Sequence, residues 1–227
     1  MLIICFASCN AKEDPKPTET EEPLVPEGFV APKSNEIDFS TTDSIEGVKI
    51  SETPTDYVLI DVANYGKILI RLFPDVAPKT VRNFKDLVSK KFYDGIIFHR
   101  IIETFMIQGG DPEGTGYGGS DKKILGEFAL NGFENNLPHV RGTVSMARGG
   151  NNMNSASSQF FIVHKTNSNN TKSLDGKYAS FGYVVYGMDV VDDIASVKTN
   201  SSDKPLKDIV MTSVRFADVS GLTFKAQ

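Results

Sequence analysis

Residues 98–111 read Phe98-His99-Arg100-Ile101-Ile102-Glu103-Thr104-Phe105-Met106-Ile107-Gln108-Gly109-Gly110-Asp111 (FHRIIETFMIQGGD). Two apolar runs, Ile101-Ile102 and Phe105–Ile107, flank the polar pair Glu103-Thr104, and a double glycine closes the stretch. That is the pattern of two short strands joined by a turn and followed by a second turn. Side chains alternate along a strand, so Arg100 points away from the face that carries His99 and Ile101. Taken alone, an arginine in this setting reads as a solvated or salt-bridged surface residue, and nothing in the stretch by itself demands chemistry.

The same texture extends in both directions. Tyr57–Ala63 and Lys67–Phe73 are β-rich and flank Asn64-Tyr65-Gly66, which predicts a hairpin. A helix is predicted from Pro78, since proline suits the first helical turn. Val81, Phe84 and Leu87/Val88 give it one apolar face, and Lys90, Lys91 and Asp94-Gly95 close it. Short β-like runs follow at Ile96–Ile102, Phe105–Gln108, Gly142–Ala147, Gln159–Val163 and Phe181–Tyr186. A second helix is expected over Met188–Val197, with Val190, Val191 and Ile194 on one face, and a last strand over Lys207–Phe216. Many short strands with two helices point to a closed or nearly closed antiparallel barrel.

Three blocks carry a resemblance. Phe98–Asp111 resembles the signature FHRIIPGFMIQGGD of the cyclophilins in twelve of its fourteen residues, Glu103-Thr104 replacing Pro-Gly. Ser145-Met146-Ala147-Arg148, followed by Ser158-Gln159-Phe160-Phe161-Ile162, resembles that family's SMAN…SQFFI segment. Leu174-Asp175-Gly176-Lys177 through Phe181-Gly182 resembles LDGK…FG. Ala77-Pro78-Lys79-Thr80 and Asn83-Phe84 on the first helix fit as well. The resemblance covers about Asp56 to Phe216 and implies a mainly β domain: a closed eight-stranded antiparallel barrel capped by two helices, over residues 56–217. It also implies peptidyl-prolyl cis-trans isomerase activity on proline-containing polypeptides.

The reaction defines what the site must do. Rotation about an amide C–N bond faces a barrier of roughly 18–20 kcal/mol because of its partial double-bond character. No nucleophile and no acid–base pair is required, only a site that favours the twisted amide over both planar forms. Twisting localises a lone pair on the prolyl nitrogen, so a fixed, permanently charged N–H donor gains strength in the transition state. By resemblance, Arg100 is that donor. Phe105, Met106, Phe161 and Leu174 are expected to line the pocket for the proline ring, and Gln108 to bond the peptide near the reacting carbonyl. The backbone at Ala147 and Arg148 would hold the residue before proline, with Gln159 and Gly116 bordering the groove. Phe160 is expected to face the core, opposite Phe161. Tyr178 stands where the well-known eukaryotic members have a pocket histidine, and Ser173 where they have a tryptophan that helps bind cyclosporin, so weak inhibition is expected. Arg148 stands where asparagine is usual. A non-catalytic proline-peptide binder on the same fold is the alternative, against which the retention of Arg100, Phe105, Gln108 and Phe161 argues.

Composition adds limits and one further expectation. A net charge of −5 gives no basic surface for nucleic acid. Cys5 and Cys9 are the only cysteines, and His99, His139 and His164 are far apart, so neither a disulfide within the domain nor a metal site is expected. No cofactor is called for, and nothing asks for more than a monomer. Leu2–Ala7 is a short apolar run leading to Phe6-Ala7-Ser8-Cys9, which resembles a bacterial lipoprotein signal over residues 1–9 with Cys9 as the lipidated residue. A leftover apolar N-terminus with no targeting role is the other reading. Residues 10–36 hold five of the eleven prolines with seven acidic and three basic side chains, a composition expected to stay extended and solvated. Residues 10–55 are therefore read as a linker, with 37–55 open between linker and a strand at Val48-Lys49-Ile50, and 218–227 as a C-terminal tail. Together these place the domain at a bacterial cell envelope, tethered to a membrane through Cys9.

Overall fold

The computed structural model describes residues 28–167 and 170–226. Cys9, the leader and the first part of the linker lie outside these residues, as does Asn169 in the Lys165–Lys172 loop.

Local sequence sets the hairpins. β2 (Tyr57–Val62) and β3 (Gly66–Leu72) pair in register from Tyr57 opposite Arg71 to Val62 opposite Gly66. The connecting turn needs a left-handed residue and has Asn64 at φ 67°, a conformation that asparagine tolerates. β4 (Phe98–Ile102) and β5 (Met106–Gly109) form the second hairpin, β6 (Thr143–Met146) and β7 (Phe160–Val163) the third pair, and β8 (Ser180–Tyr186) and β9 (Met211–Asp218) complete the domain's strands. A short β1 (Lys49–Ile50) pairs with the end of β9. The sheet is antiparallel throughout, in the order β1-β9-β2-β3-β8-β6-β7-β5-β4. It thus has nine strands rather than the expected eight, and the extra one comes from the segment read as either linker or strand. The chain just before β4 meets the chain around the start of β9. Gly95 N–H donates to the Met211 carbonyl (2.8 Å), Met211 N–H to Ile96 (2.9 Å) and Phe98 N–H to Ile209 (2.9 Å).

The two helices fall where the apolar spacing places them. α1 (Pro78–Ser89) buries Val81, Phe84, Leu87 and Val88, and α2 (Met188–Ala195) buries Val190, Val191 and Ile194. The N-cap residue of α1, Ala77, has no side chain to cap the helix. Glu127, fully buried and 47 residues beyond Thr80, does so instead, accepting from the N–H groups of Lys79 (2.9 Å) and Thr80 (2.8 Å). Burial pushes the Glu127 carboxyl up despite these bonds.

The core follows the strand alternation. Val58, Ile60, Val62, Ile68, Ile70 and Leu72 point inward with Ile107, Phe160, Ile162 and Phe181, and α1 seats Phe84 among Tyr93, Phe160 and Phe181 at centroid distances of 5.1–5.6 Å. Yet the residues between them, Leu59, Leu69, Tyr183 and Val185, are buried too. They lie on the opposite face of β2, β3 and β8, which the ends of the chain cover with Ile37, Phe39, Ile45 and Val48 from one side and Val219, Leu222 and Phe224 from the other. Thr41 and Lys225 bridge these two ends, and Thr42 N–H donates to Val185 (2.9 Å). Asp38 pairs with Arg71; the Ser40 hydroxyl and backbone N–H, with Arg71, hold its carboxyl down at about 2. Phe29 packs on Phe133 (4.8 Å). Of the two readings left open for 37–55, the packed one describes residues 37–48, and residues 219–224 of the segment read as a tail pack on the domain as well. Strands apolar on both faces need a second layer, and these flanking segments carry enough large apolar side chains to supply it.

Candidate active site

Strand register brings the key residues into one row. Arg100 on β4 lies opposite Gln108 on β5, Gln108 opposite Phe161 on β7, and Phe161 opposite Ser145 on β6. Directly opposed residues in antiparallel pairs share a face, so Arg100, Gln108 and Phe161 stand side by side on the face away from the main core. Phe160, one residue earlier, points into that core, as expected. Around Phe161 lies an apolar cluster separate from the core: Met106, Val163 and Leu174 are buried, and Ile102, Phe105, Ala147 and Tyr178 are half-buried at its margin. The Tyr178 ring meets Phe161 edge-on at 6.2 Å.

The cluster rests on a polar support. The His139 ring stacks beneath Phe161 (6.0 Å, 18°), its Nε2 faces Ser145 Oγ (2.9 Å), and its Nδ1 and backbone N–H both face Asp175 Oδ1 (2.8 Å each). Burial raises the Asp175 carboxyl, but the two His139 contacts outweigh it and hold the group below its ordinary range. Asp175 follows Leu174, so the contact ties the chain beside Leu174 to the His139 support. Serine, histidine and aspartate here are scaffold rather than nucleophile, because Ser145 has no exposed surface.

The polar rim is equally fixed. Gln108 Nε2 donates to Gln159 Oε1 (2.8 Å), whose own Nε2 donates to the carbonyls of Gly116 (3.0 Å) and Gly118 (2.7 Å). Gly116, at φ 87°, sits in a loop wound around the buried Asp111 carboxylate, which accepts from the N–H groups of Glu113, Thr115 and Gly116 at 2.6–2.9 Å. Those bonds overcome the effect of burial and lower the Asp111 carboxyl. Ala147 N–H pairs with Gln159 (2.9 Å). Arg148 does more than lend its backbone. Its guanidinium lies over Phe128 (5.1 Å) and Tyr178 (4.7 Å), and it donates to the carbonyls of Lys177 (3.0 Å), Gly149 (2.9 Å) and Gly150 (3.3 Å). It thereby joins the wall that carries Tyr178 to the loop after β6.

Arg100 has a partner that no motif announced. Its Nε donates to Asp203 Oδ2 (3.3 Å), and the next residue's N–H, at Ile101, donates to the Asp203 carbonyl (2.8 Å). On the other face of β4, His99 is buried, and desolvation pushes its imidazole down. Every residue assigned to the groove from the sequence is thus placed around one apolar cluster and its rim; Cys9, assigned to lipidation, lies outside the described residues. The features missed from sequence are Asp203, the His139–Asp175 support and the Arg148 side chain. Only the aspartate inside LDGK gave a signal for any of them.

The model of the cyclophilin type peptidyl-prolyl cis-trans isomerase/CLD family matches residues 57–216. The chain is 46% identical over 143 residues to the peptidyl-prolyl cis-trans isomerase ppi1 of Schizosaccharomyces pombe, covering 63% of this chain and 87% of that one. It is 39% identical over 180 residues to a Staphylococcus aureus protein named for the same activity, covering 66% and 87%. A Streptococcus pyogenes protein named as a bifunctional phosphatase/peptidyl-prolyl cis-trans isomerase is 41% identical over 180 residues, or 68% of this chain, which spans only 37% of that protein's length. Among solved structures, a Cryptosporidium parvum cyclophilin-type isomerase superposes with a TM-score of 0.63 at 32% identity, covering 70% of this chain and 98% of that one; it was solved in the presence of the dipeptide Ala-Pro. Cyclophilin AquaCyp293 of Hirschia baltica, at 24% identity and a TM-score of 0.61, shares the fold over 79% of this chain and 82% of its own. The matched span takes in β2 to most of β9 and every residue of the groove, and on that ground the chain belongs to the cyclophilin-type peptidyl-prolyl cis-trans isomerases.

Proposed function

We propose that this isomerase holds an X-Pro segment with the proline ring against Phe161, Met106, Leu174 and Phe105, and rotates the amide beside Arg100. The observation that carries this reading is the row Arg100–Gln108–Phe161, which puts a permanent cation and an amide next to the apolar cluster around Phe161. As the amide twists, the prolyl nitrogen becomes a better acceptor, and a guanidinium N–H strengthens its bond to it. Gln108 orients the peptide near the reacting carbonyl. The backbone at Ala147 and Arg148 holds the preceding residue extended, and Gln159 and Gly116 border its path. An acceleration of about five orders of magnitude requires roughly 7 kcal/mol of differential stabilisation. A charge-assisted hydrogen bond supplies roughly 1.5–3 kcal/mol of this, and a fixed ring and a desolvated amide supply much of the rest. That the Cryptosporidium parvum relative was solved in the presence of Ala-Pro supports a proline-containing peptide as substrate here.

Two finer readings belong with this. We read β2–β9 as an eight-stranded barrel completed between β4 and β9, for which the Ile97–Val210 bridge and its flanking hydrogen bonds speak, with β1 as an addition at its edge. We also read Cys9 as a lipid anchor and residues 10–27 as a spacer, so that the enzyme assists folding of exported or envelope proteins as a monomer. The Phe6-Ala7-Ser8-Cys9 sequence and the proline-rich acidic stretch after it support this.

The test is an isomerisation assay on an Ala-Pro peptide with the parent and Arg100→Ala. The parent accelerates exchange, and the variant is slowed by roughly 10- to 150-fold, the equivalent of one lost charged hydrogen bond. Equal rates would reject Arg100 as the donor. Metabolic lipid labelling that persists in Cys9→Ala would reject the anchor.

A further inference from the structure

We infer that Asp203 is a positioning residue for isomerisation: its carboxylate holds the Arg100 guanidinium by the Nε edge and leaves the terminal nitrogens aimed at the substrate. This rests on Arg100 being the donor to the prolyl nitrogen. Arginine presents its N–H groups in a planar fork. When Nε is engaged by one carboxylate oxygen at 3.3 Å, the plane of the fork is set, and rotation about the last side-chain torsions is restricted.

The loop that carries Asp203 is built to hold it still. Asp203 sits at φ 61°, a left-handed conformation, between β-bridged Thr199 and Pro205. Asn200 organises the turn: its Oδ1 accepts from the N–H groups of Ser202 (2.9 Å) and Lys204 (3.1 Å), its backbone N–H donates to Lys204 (2.8 Å), and its carbonyl accepts from Asp203 (3.1 Å). The Asp203 carbonyl then receives the Ile101 N–H (2.8 Å), which locks the loop onto β4 at the residue next to Arg100. One residue therefore grips the strand by its backbone and the catalytic cation by its side chain.

Energetics separate this role from a structural one. The two side chains retain 29% and 42% of their exposure, and ion pairs of that kind contribute little to folding. The contact matters instead because a long, flexible arginine must be held in one geometry at the moment of twisting. The carboxylate also opposes part of the guanidinium charge, so the pair trades field strength for orientation, and the loss on breaking it reads which of the two dominates.

Asp203→Gly and Asp203→Asn, in the full chain, test this. Glycine removes the carboxylate and suits the left-handed backbone, and asparagine keeps an acceptor at the same place and also tolerates that conformation. Exchange NMR on an Ala-Pro peptide gives kcat and peptide Kd separately. The expected result for Asp203→Gly is a fall in kcat of roughly 3- to 10-fold, the scale of releasing one or two side-chain torsions, with Kd and thermal midpoint unchanged. Asparagine restores most of the loss. In an Arg100→Ala background, Asp203→Gly has no further effect on the residual rate. Parental kcat in Asp203→Gly overturns the inference while leaving Arg100 as donor, as does a Kd that rises in step with the loss, or asparagine no better than glycine. An Arg100→Ala variant as fast as the parent overturns the mechanism itself and is distinguishable from all of these.

Discussion

Phe160 and Phe161 are neighbours of identical chemistry, exposed by 0% and 4% respectively, and they offer a direct test of which face of the sheet carries the reaction. Phe160 is in the main core, with ring contacts to Phe84 (5.6 Å), Tyr93 (5.6 Å) and Phe98 (6.3 Å). Its replacement by alanine leaves a cavity that surrounding strands cannot close, at a cost of about 3–5 kcal/mol. For a domain of this size each kcal/mol lowers the thermal midpoint by about 2–4 °C, so Phe160→Ala should melt roughly 10 °C lower. Phe161 lies in the smaller cluster at the groove, where Met106 and Tyr178 can move into the space, and its loss should cost less stability, about 2 kcal/mol. In exchange it removes the floor against which a proline ring is buried. Losing about 1.5–2.5 kcal/mol of apolar contact corresponds to roughly a 10- to 70-fold fall in kcat/KM. Urea denaturation and peptide isomerisation, both run well below the melting range, separate the two effects. Phe160→Ala should keep at least half of the parental kcat/KM where it is folded, and Phe161→Ala should lose it while folded. A Phe161→Ala enzyme with parental kcat/KM, or a Phe160→Ala protein with parental stability and no activity, would refute the division of faces.

Gly110→Ala should be among the most damaging single-methyl changes: Gly110 is at φ 87°, and a Cβ there would stand 2.4 Å from the Ser158 carbonyl and 3.1 Å from Gln159 Cα. The left-handed penalty alone is about 1–2 kcal/mol, and displacement of Gln159 should lower activity as well, measurable as a drop in both urea midpoint and kcat/KM. Arg148→Ala frees the Tyr178 wall and should raise KM by about 3- to 10-fold, the loss of roughly 1 kcal/mol from two cation–ring contacts, with a smaller change in kcat. Asp94 is held below the ordinary carboxylate range by its paired bonds to Arg215 (2.7 and 2.6 Å), which outweigh burial. A depressed carboxyl stabilises the fold above its unfolded value of about 3.9 and loses that contribution as pH falls through the lower folded value. Asp94→Asn should therefore cost about 1 kcal/mol at neutral pH, discounted for partial exposure, and should flatten the acid limb of a pH-denaturation curve below about pH 4; an unchanged limb would assign acid sensitivity elsewhere.

Much of this arrangement was legible from residue order because the relevant physics is local. Strand and helix bounds fall within a few residues of those expected from alternation, from Pro78 and from the apolar spacing of Val81, Phe84 and Leu87. The groove was legible because its residues lie inside three contiguous motifs, which register then sets side by side. What escaped is what depends on distant partners. Glu127 caps a helix 47 residues away, and nothing in its neighbourhood marks it as a cap. Asp203 lies in Asn200-Ser201-Ser202-Asp203-Lys204, a run whose composition speaks only of a solvated loop. The strand Tyr57–Val62 did contain a warning: Val58, Leu59 and Ile60 are consecutive apolar residues, and a strand that must bury both faces needs two partners. The segment left open between linker and strand, with the one read as a tail, is the second partner.

That second layer also explains why the site lies where it does. The face of the sheet away from the core has two apolar patches. One, on β2, β3, β8 and β9, is sealed by residues from 37–48 and 219–224. The other, on β5 and β7, is met by Leu174 and Tyr178 rather than by the terminal segments, and its margin is made of half-buried Phe105, Ala147 and Tyr178 beside Arg100, Gln108 and Gln159. An apolar cluster with a half-buried margin, rimmed by a few fixed polar groups, is what a small hydrophobic ring with an adjacent amide requires. Had the terminal segments lain across β5 and β7 instead, the same residues would be core. The lone strand arginine acquires its chemical meaning from this: Arg100 stands beside the cluster that the terminal segments do not seal, and Asp203 fixes the direction in which its charge is presented.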